Sequence, residues 1–255
     1  MSPPSIPSAR LAALRAEIRT IEGFASPGEG GVLPFGIEAV DARLAGGGLA
    51  AAALHDVAAA SPEWSDDASA TLFLAGLAAR KAAVDPRGQV LWAFSRRDLF
   101  APGLAQAGLP PDRLLYAECR DDAEVLAVLE EGLRHGGLAA VIGEVGRCAM
   151  APARRLQLAA EEGGTMALLL RRWKKAGRDP LAEPSPAVTR WRIGSAPSAP
   201  LPVEGIGRAC FAVTLTRQRG GNPAEWLLEA PDAEARFALF PGSRDRADAV
   251  ERQAA

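Results

Sequence analysis

The segment that decides the fold is residues 54–80, "LHDVAAASPEWSDDASATLFLAGLAAR". An apolar run opens it, a short polar loop follows, and apolar residues then recur at helical spacing. Strand, loop and helix in this order frame many phosphate-binding sites, in which glycines, a lysine and a hydroxyl contact the anion. The loop here has no glycine and no lysine, and Asp66 and Asp67 stand at the start of the helix. The strand, loop and helix of a nucleotide site are therefore present, but the glycines and the lysine that bind phosphate are not.

Strands and helices alternate along most of the chain. We predict strands at residues 51–57, 89–95, 113–118, 139–145 and 165–171, separated by helices at residues 66–83, 100–107, 121–134 and 152–162. This alternation is typical of right-handed βαβ units, whose parallel sheet is covered by helices on both faces. Later segments alternate with a period near two, at residues 187–194, 209–218 and 224–231, and "RGGNP" forms a turn before the last,. We therefore predict an α/β fold with a mostly parallel sheet, extended by antiparallel strands on the C-terminal side.

The composition is ordinary for a soluble globular protein. Of the 255 residues, 48% are apolar and 24% charged, and the formal net charge is −2, so any surface for nucleic acid must be local,. No segment approaches the ~18 apolar residues of a membrane span and no signal sequence is apparent, so we expect a cytoplasmic protein without membrane contact. The three cysteines are widely separated and the two histidines complete no metal-ligand spacing. We expect reduced thiols and neither a metal nor a cofactor.

A short amphipathic helix is predicted ahead of the main domain. Leu11, Leu14, Ile18 and Ile21 fall on one helical stripe, and a Gly/Pro-rich segment follows them,. The stripe packs either on its own domain or, as a candidate partner interface, on another protein or protomer. We divide the chain into an N-terminal helix with its linker (residues 1–30), a core domain (31–241) and a mobile tail (242–255).

The order of elements resembles the ATPase core of the RecA family, and more closely the ImuA type of RecA-like accessory protein. The residues that carry this resemblance are 33–57, "LPFGIEAVDARLAGGGLAAAALHDV". Asp41, Leu44 and the run at residues 46–49 match the "hDxxLxxGGL" pattern that precedes the first core strand in that family, and "LHDV" is similar to the ImuA-type strand. The likeness continues through "VLWAF", "VIGEV" and "MALLLRR", and covers roughly residues 33–231. It implies a RecA-like fold.

The phosphate loop of that family is degenerate in this chain. A working loop has the pattern G-x-x-x-x-G-K-[ST], whose backbone N–H groups, lysine and hydroxyl hold the phosphates and magnesium. The degenerate loop, "AAASPEWSDDA", contains Ser61, Glu63, Asp66 and Asp67 instead. Carboxylates within about 4–6 Å of a phosphate would oppose binding by an amount comparable to what the missing lysine supplies. We therefore expect nucleotide to bind weakly or not at all.

Two further groups of such an ATPase are also missing. In the strand that carries a magnesium-anchoring aspartate in the family, this chain has "VIGEV", with Glu144 near that position. After "VLWAF", where the resemblance implies a catalytic glutamate, the chain has Arg96 and Arg97. The three departures together predict that the protein is not an ATPase and that the segment at residues 54–80 is retained as scaffold.

A local excess of positive charge lies between residues 147 and 178, where eight basic residues stand against two acidic ones. Its densest part is "RRWKKAGR", which follows a predicted core strand. Cations that neutralise phosphates, beside an aromatic ring that stacks on a base, are typical of single-strand binding, and the resemblance implies a DNA-contacting loop here. We favour single-stranded DNA, or an acidic protein partner, over a solvated loop. The candidate DNA-binding residues are Arg171, Arg172, Trp173, Lys174, Lys175 and Arg178.

A third basic cluster is "TRQRGG", which contains Arg217 and Arg219. In RecA proteins the corresponding hairpin reaches a nucleotide on the neighbouring protomer, so these arginines are candidates for a partner interface. We slightly favour plain edge-strand charges, which discourage unwanted pairing. His55 and His135 have no catalytic arrangement around them, and we expect ordinary core or surface roles.

The resemblance implies a function in mutagenesis induced by DNA damage, within the SOS response. A non-catalytic protein of this kind would recruit or scaffold an ImuB-type polymerase-like protein and an error-prone replicative-type polymerase at damaged DNA, with RecA and single-stranded DNA as further candidate partners. Two alternatives stay open. A weakly active RecA-type ATPase would bind ATP, and a cell-division inhibitor of the SulA type would bind a tubulin-like polymer and would need no DNA affinity.

Overall fold

A nine-stranded mixed sheet with helices on both faces forms the core of the protein, for which a computed structural model describes residues 31–174, 178–201, 203–205 and 207–241. The strands are β1 (Val32–Leu33), β2 (Leu49–Ala50), β3 (Leu54–Ala59), β4 (Val90–Phe94), β5 (Leu114–Glu118), β6 (Ala140–Val145), β7 (Met166–Arg171), β8 (Thr189–Ala196), β9 (Cys210–Gln218), β10 (Ala224–Glu229) and β11 (Ala238–Leu239). The helices are α1 (Glu38–Asp41), α2 (Trp64–Val84), α3 (Ala101–Gln106), α4 (Asp122–His135) and α5 (Met150–Gly163), with a 3₁₀ turn at Pro111–Arg113.

The strand order of the large sheet is β11-β10-β9-β8-β3-β7-β6-β4-β5. The strands from β8 to β5 in this order pair in parallel, and β8, β9, β10 and β11 pair antiparallel. β1 and β2 form a separate antiparallel pair. The predicted fold class, a mostly parallel sheet with an antiparallel C-terminal extension, is therefore confirmed.

The predicted elements are confirmed with small shifts at their ends. The first core strand was expected at residues 51–57 and lies at Leu54–Ala59, while the following helix begins two residues earlier than expected, at Trp64. The first residues of this helix were not predicted because Trp64 is exposed and does not continue the buried apolar face of the helix. The two-residue strands β1, β2 and β11 were not predicted, since such short segments show no periodicity.

The two faces of the sheet bury separate apolar clusters. On one face, α2 packs Ala70, Phe73, Leu74 and Leu77 against the sheet, at the i, i+3, i+4, i+7 spacing of a buried helix face,. On the other face, α4 and α5 cover the side chains that alternate with these along the strands,. Because the strands from β8 to β5 run parallel, their carboxyl ends lie along one edge of the sheet, and ligands bind at this edge in open α/β sheets.

The segment that carried the family resemblance closes the start of this core. The carboxylate of Asp41 accepts backbone N–H bonds from Phe35, Gly36 and Ile37, at 2.7, 2.9 and 3.1 Å. Gly48 passes so close to the backbone of residue 33 that a Cβ there would overlap it. The motif residues thus fix the entry of the chain into the sheet.

Some predicted features lie outside the described residues. These include the N-terminal stripe of Leu11, Leu14, Ile18 and Ile21, the tail at residues 242–255, and Lys175. Among the helices that the structure does describe, none combines the length and apolar character needed to cross a membrane.

Candidate functional site

The loop between β3 and α2 is tied down by its own polar groups. Ser61 Oγ donates to Asp66 Oδ2 at 2.7 Å, and Asp66 Oδ1 accepts from the backbone N–H and the hydroxyl of Ser195 at 2.7 and 3.1 Å. Burial alone would raise the pKa of Asp66, but the hydrogen bonds from Ser195 and Ser61 lower it overall,. Glu63 stays exposed at the surface, with its N–H 3.2 Å from Ser61 Oγ. Asp66 therefore joins the loop to the end of β8.

A buried guanidinium lies beside this loop. Arg172 Nη1 is 2.6 Å from Asp67 Oδ2, and its Nε and Nη2 donate to Glu144 Oε2 at 3.0 and 2.8 Å. The other oxygen of Glu144 accepts from Trp92 Nε1 at 2.8 Å. Three elements, α2, β6 and the end of β7, are thus joined through one arginine, which we call the Arg172 network with Asp67, Glu144 and Trp92.

A second arginine borders the Arg172 network at its exposed side. Arg96 Nη2 is 2.7 Å from Asp98 and its Nη1 is 3.9 Å from Asp67, and Arg172 Nη2 is 3.8 Å from Asp98. Arg97 instead points to the surface, where its Nε donates to Glu118 at 2.7 Å. Of the two arginines that replace the expected catalytic glutamate, Arg96 therefore reaches the site and Arg97 does not.

The electrostatics of the network follow from its burial. Burial raises the pKa of Glu144, although Arg172 and the Trp92 N–H act in the opposite direction,. For Arg172, burial lowers the pKa and the neighbouring carboxylates raise it, with a net increase. Glu144 has protein donors on both of its oxygens, from Trp92 and Arg172,.

The cavities that border these groups differ in size. The cavity next to Glu144 and Arg172 measures about 80 Å³, whereas pockets for ligands are usually about 300–1,000 Å³. A second cavity of about 290 Å³ lies between α2 and α3, where Trp64 and Phe100 are exposed and Asp67 and Asp98 contribute carboxylates. Arg172 also lines this cavity, but its guanidinium is already bound to Asp67 and Glu144. Nothing in the structure shows what covers the cavity.

The candidate DNA-binding residues do not share one exposed surface. Arg171 and Arg172 are both buried, and alternation at the end of β7 directs them to opposite faces,. Trp173 packs against the core and donates from Nε1 to the carbonyl of Ala59 at 3.0 Å. Lys174 and Arg178 are exposed. Among the candidates that the structure describes, these last two are the ones whose side chains a macromolecule in solution can reach.

The pair proposed for a partner interface lies along β9 and the turn after it. Arg217 Nη2 donates to the carbonyls of Ser185 and Ala187 at 2.9 and 2.6 Å, and Arg219 Nη2 donates to the carbonyl of Pro186 at 3.2 Å. Both arginines thus hold the loop before β8, and both remain exposed.

His55 and the three cysteines lie in the interior of the protein. His55 is fully buried, with Nε2 donating to the Ala50 carbonyl at 2.9 Å and Nδ1 2.7 Å from Thr189 Oγ1. It is a satisfied core residue, as predicted. All three cysteines are free and buried, and the described residues contain no group of three or more metal-ligating side chains.

Sequence reasoning missed the partners of Arg172. From the sequence, each residue had a separate interpretation. Glu144 lay near the position of a metal ligand, Asp67 was a charge that repels phosphate, and Arg172 was a DNA contact. The structure brings them together within one hydrogen-bonded network. A signal was present, because two consecutive arginines at the end of a buried strand must face opposite sides of the sheet.

Comparison with known proteins identifies relatives of this chain. It is 38% identical over 211 residues to Protein ImuA of Caulobacter vibrioides strain NA1000 / CB15N, and equally to Protein ImuA of strain ATCC 19089 / CIP 103742 / CB 15. Each alignment covers 79% of this chain and 84% of the relative. No family profile matches the chain.

Proposed function

The chain belongs to the ImuA family, and from this membership and the site described above we propose that it is a non-catalytic, RecA-like accessory protein of DNA-damage-induced mutagenesis. In this proposal the protein acts in the cytoplasm and recruits or scaffolds translesion polymerase components at damaged DNA. Its partners are an ImuB-type polymerase-like protein and an error-prone replicative-type polymerase, with RecA as a further candidate.

The observation that carries the non-catalytic part is the position of Arg172. Its guanidinium is bound to Asp67 and Glu144 at 2.6 and 2.8 Å, and the RecA resemblance sets these two residues beside the phosphate loop and the magnesium position. A nucleotide would have to displace buried ion pairs and then meet those carboxylates, whose charge has the same sign as its own. This supports a scaffold that no longer binds ATP.

The structure also refines which groups are proposed to meet single-stranded DNA. Lys174 and Arg178 are exposed and stand at the carboxyl edge of the sheet, and Lys175 lies between them in the sequence. We propose that these three residues contact DNA phosphates. Arg172 and Trp173 would then act indirectly, by holding the segment in place.

A partner-capture experiment tests the accessory role. The full-length chain and a chain without residues 1–30 would be used to capture a purified ImuB-type protein, with Arg219→Glu as the interface variant and Arg236→Glu as its control. Arg219 and Arg236 are both exposed, but Arg236 lies between β10 and β11, away from the β9 turn. We expect capture by the full-length chain and by Arg236→Glu, and reduced capture by one or both of the other variants. No capture by the full-length chain would contradict the proposal.

ATP binding is tested separately by thermal unfolding with millimolar ATP and magnesium, using an active RecA-type ATPase as the positive control. A ligand at 100 times its dissociation constant stabilises a protein by about 2.7 kcal/mol, so real binding is readily detected. We expect no shift in melting temperature. A clear increase would favour the alternative of a weakly active ATPase.

A further inference from the structure

We propose that a basic pocket at the carboxyl ends of β6 and β7 is a binding site for a phosphate group. The pocket has a volume of about 330 Å³, which is within the range of small-ligand sites. It is separate from the loop after β3. Its lining residues are Gly146, Arg147, Arg171, Arg172, Lys174, Arg178, Asp179, Pro180 and Glu183.

The first argument is the buried guanidinium of Arg171, which forms part of the wall. Arg171 is 1% exposed, and its Nε and Nη1 have no hydrogen-bond partner among the described residues. Its Nη2 makes only long contacts, at 3.5 Å to the Cys148 carbonyl and 3.9 Å to Glu183. Buried donors of a charged group are strongly destabilising when unsatisfied. An anion in the pocket would supply the acceptor that the protein does not.

The second argument is the balance of charge. Glu183 is the shared neighbour of three arginines, at 3.8 Å from Arg147, 3.9 Å from Arg171 and 3.4 Å from Arg178. Three guanidiniums around one carboxylate leave two positive charges unmatched. The other charged side chains of the wall have closer partners, namely Arg172 with Glu144, Lys174 with Asp122, and Asp179 with Arg192.

Phosphate fits this arrangement better than other anions do. A phosphate monoester carries close to two negative charges at neutral pH and presents three acceptor oxygens. Arginine forks bind such oxygens in pairs, with stronger hydrogen bonds than those to neutral groups. The ligand is therefore either a small phosphorylated compound or a phosphate of single-stranded DNA. The inference depends on the pocket alone and not on the accessory role proposed above.

Inorganic phosphate is the probe for the pocket itself. Calorimetric titration would compare the parent chain with Arg178→Gln and Arg147→Gln, at constant ionic strength set with sodium chloride. Arg236→Gln is the matched control, since Arg236 is an exposed arginine at the far edge of the sheet. We expect one site in the parent chain, about tenfold weaker binding in the two pocket variants, and no change in the control. Arg171→Met, checked for folding by circular dichroism, should abolish binding.

Three results would overturn the proposal: no phosphate binding by the parent chain, equal binding by Arg178→Gln and the parent, or equal weakening by Arg236→Gln. A second arm identifies the source of the phosphate. Single-stranded oligonucleotides with and without a 5′-phosphate would be titrated in the presence of inorganic phosphate. Competition with both supports a backbone phosphate, competition with the 5′-phosphorylated strand alone supports a terminal one, and competition with neither supports a small phosphorylated ligand in the same pocket.

Discussion

Replacing Arg172 by methionine should destabilise the fold strongly. The substitution removes the donors to Glu144 and Asp67 and leaves Glu144, whose side chain is 3% exposed, as an uncompensated buried carboxylate. Breaking a buried ion pair by removing one partner costs about 3–5 kcal/mol. Asp67 lies closer to solvent and adds little. The expected loss is a large part of the roughly 5–15 kcal/mol that stabilises a typical domain.

The loss should depend on pH with a defined sign. Burial already raises the pKa of Glu144, and removal of Arg172 raises it further because the opposing cation is gone. In the variant, the folded state therefore favours the protonated form of Glu144 more than the unfolded state does, and the penalty for the buried charge grows as the pH rises above the pKa of unfolded glutamate. Below the ordinary glutamate pKa of about 4.3, both folded and unfolded states are protonated and this penalty disappears. The stability deficit should thus be largest near pH 7 and shrink as the pH falls towards 4.

Urea unfolding at several pH values measures the effect, provided that the slope m is unchanged. The double variant Arg172→Met/Glu144→Gln should recover part of the loss, because an amide at position 144 removes the buried charge and still accepts from Trp92 Nε1,. Arg134→Met is the control, since Arg134 is exposed where it pairs with Glu130 on α4, and a surface pair of this kind is worth less than about 1 kcal/mol,. A deficit below about 1 kcal/mol, or one equally large in the double variant, would refute the reasoning.

Three further predictions concern other parts of the chain. Burial lowers the pKa of His55 to about 4, so stability should fall by about 3 kcal/mol between pH 6.5 and 4 in urea titrations, and His55→Gln should lose that slope. Trp173→Phe removes the hydrogen bond to Ala59 and should lower the unfolding free energy by about 1 kcal/mol; unchanged stability with weaker DNA binding would contradict the assignment of Trp173 to the core. Deleting residues 1–30 should leave the melting temperature unchanged but abolish association in gel filtration, whereas an unfolded product would mean that this segment belongs to its own core.

The sheet and its helices could be predicted because their signals are local. The strand β6 is an unbroken apolar run apart from Glu144, and apolar residues recur at helical spacing along most of α2. Such patterns decide whether a segment is a buried strand or a covered helix, whatever the rest of the chain does. The antiparallel extension was equally visible, since β9 and β10 alternate around a turn rich in glycine.

The site could not be predicted to the same extent because its contacts join distant parts of the chain. Charge clustering grouped Arg171, Arg172 and Lys174 as one basic surface, but Arg171 and Arg172 are buried, and Arg172 pairs with carboxylates from two other elements. Which carboxylate meets which guanidinium depends on the order of strands in the sheet. That order places β7 between β3 and β6, and neither composition nor spacing specifies it.

The Arg172 network also determines how difficult it would be to introduce a phosphate loop into this scaffold. Grafting the glycines and lysine of a working phosphate loop after β3 would leave the guanidinium and its carboxylates in place. Removing Arg172 first leaves Glu144 unpaired, while removing Glu144 first leaves a buried cation, and either intermediate loses several kcal/mol. Each stepwise route to such a loop therefore passes through a chain less stable than the present one.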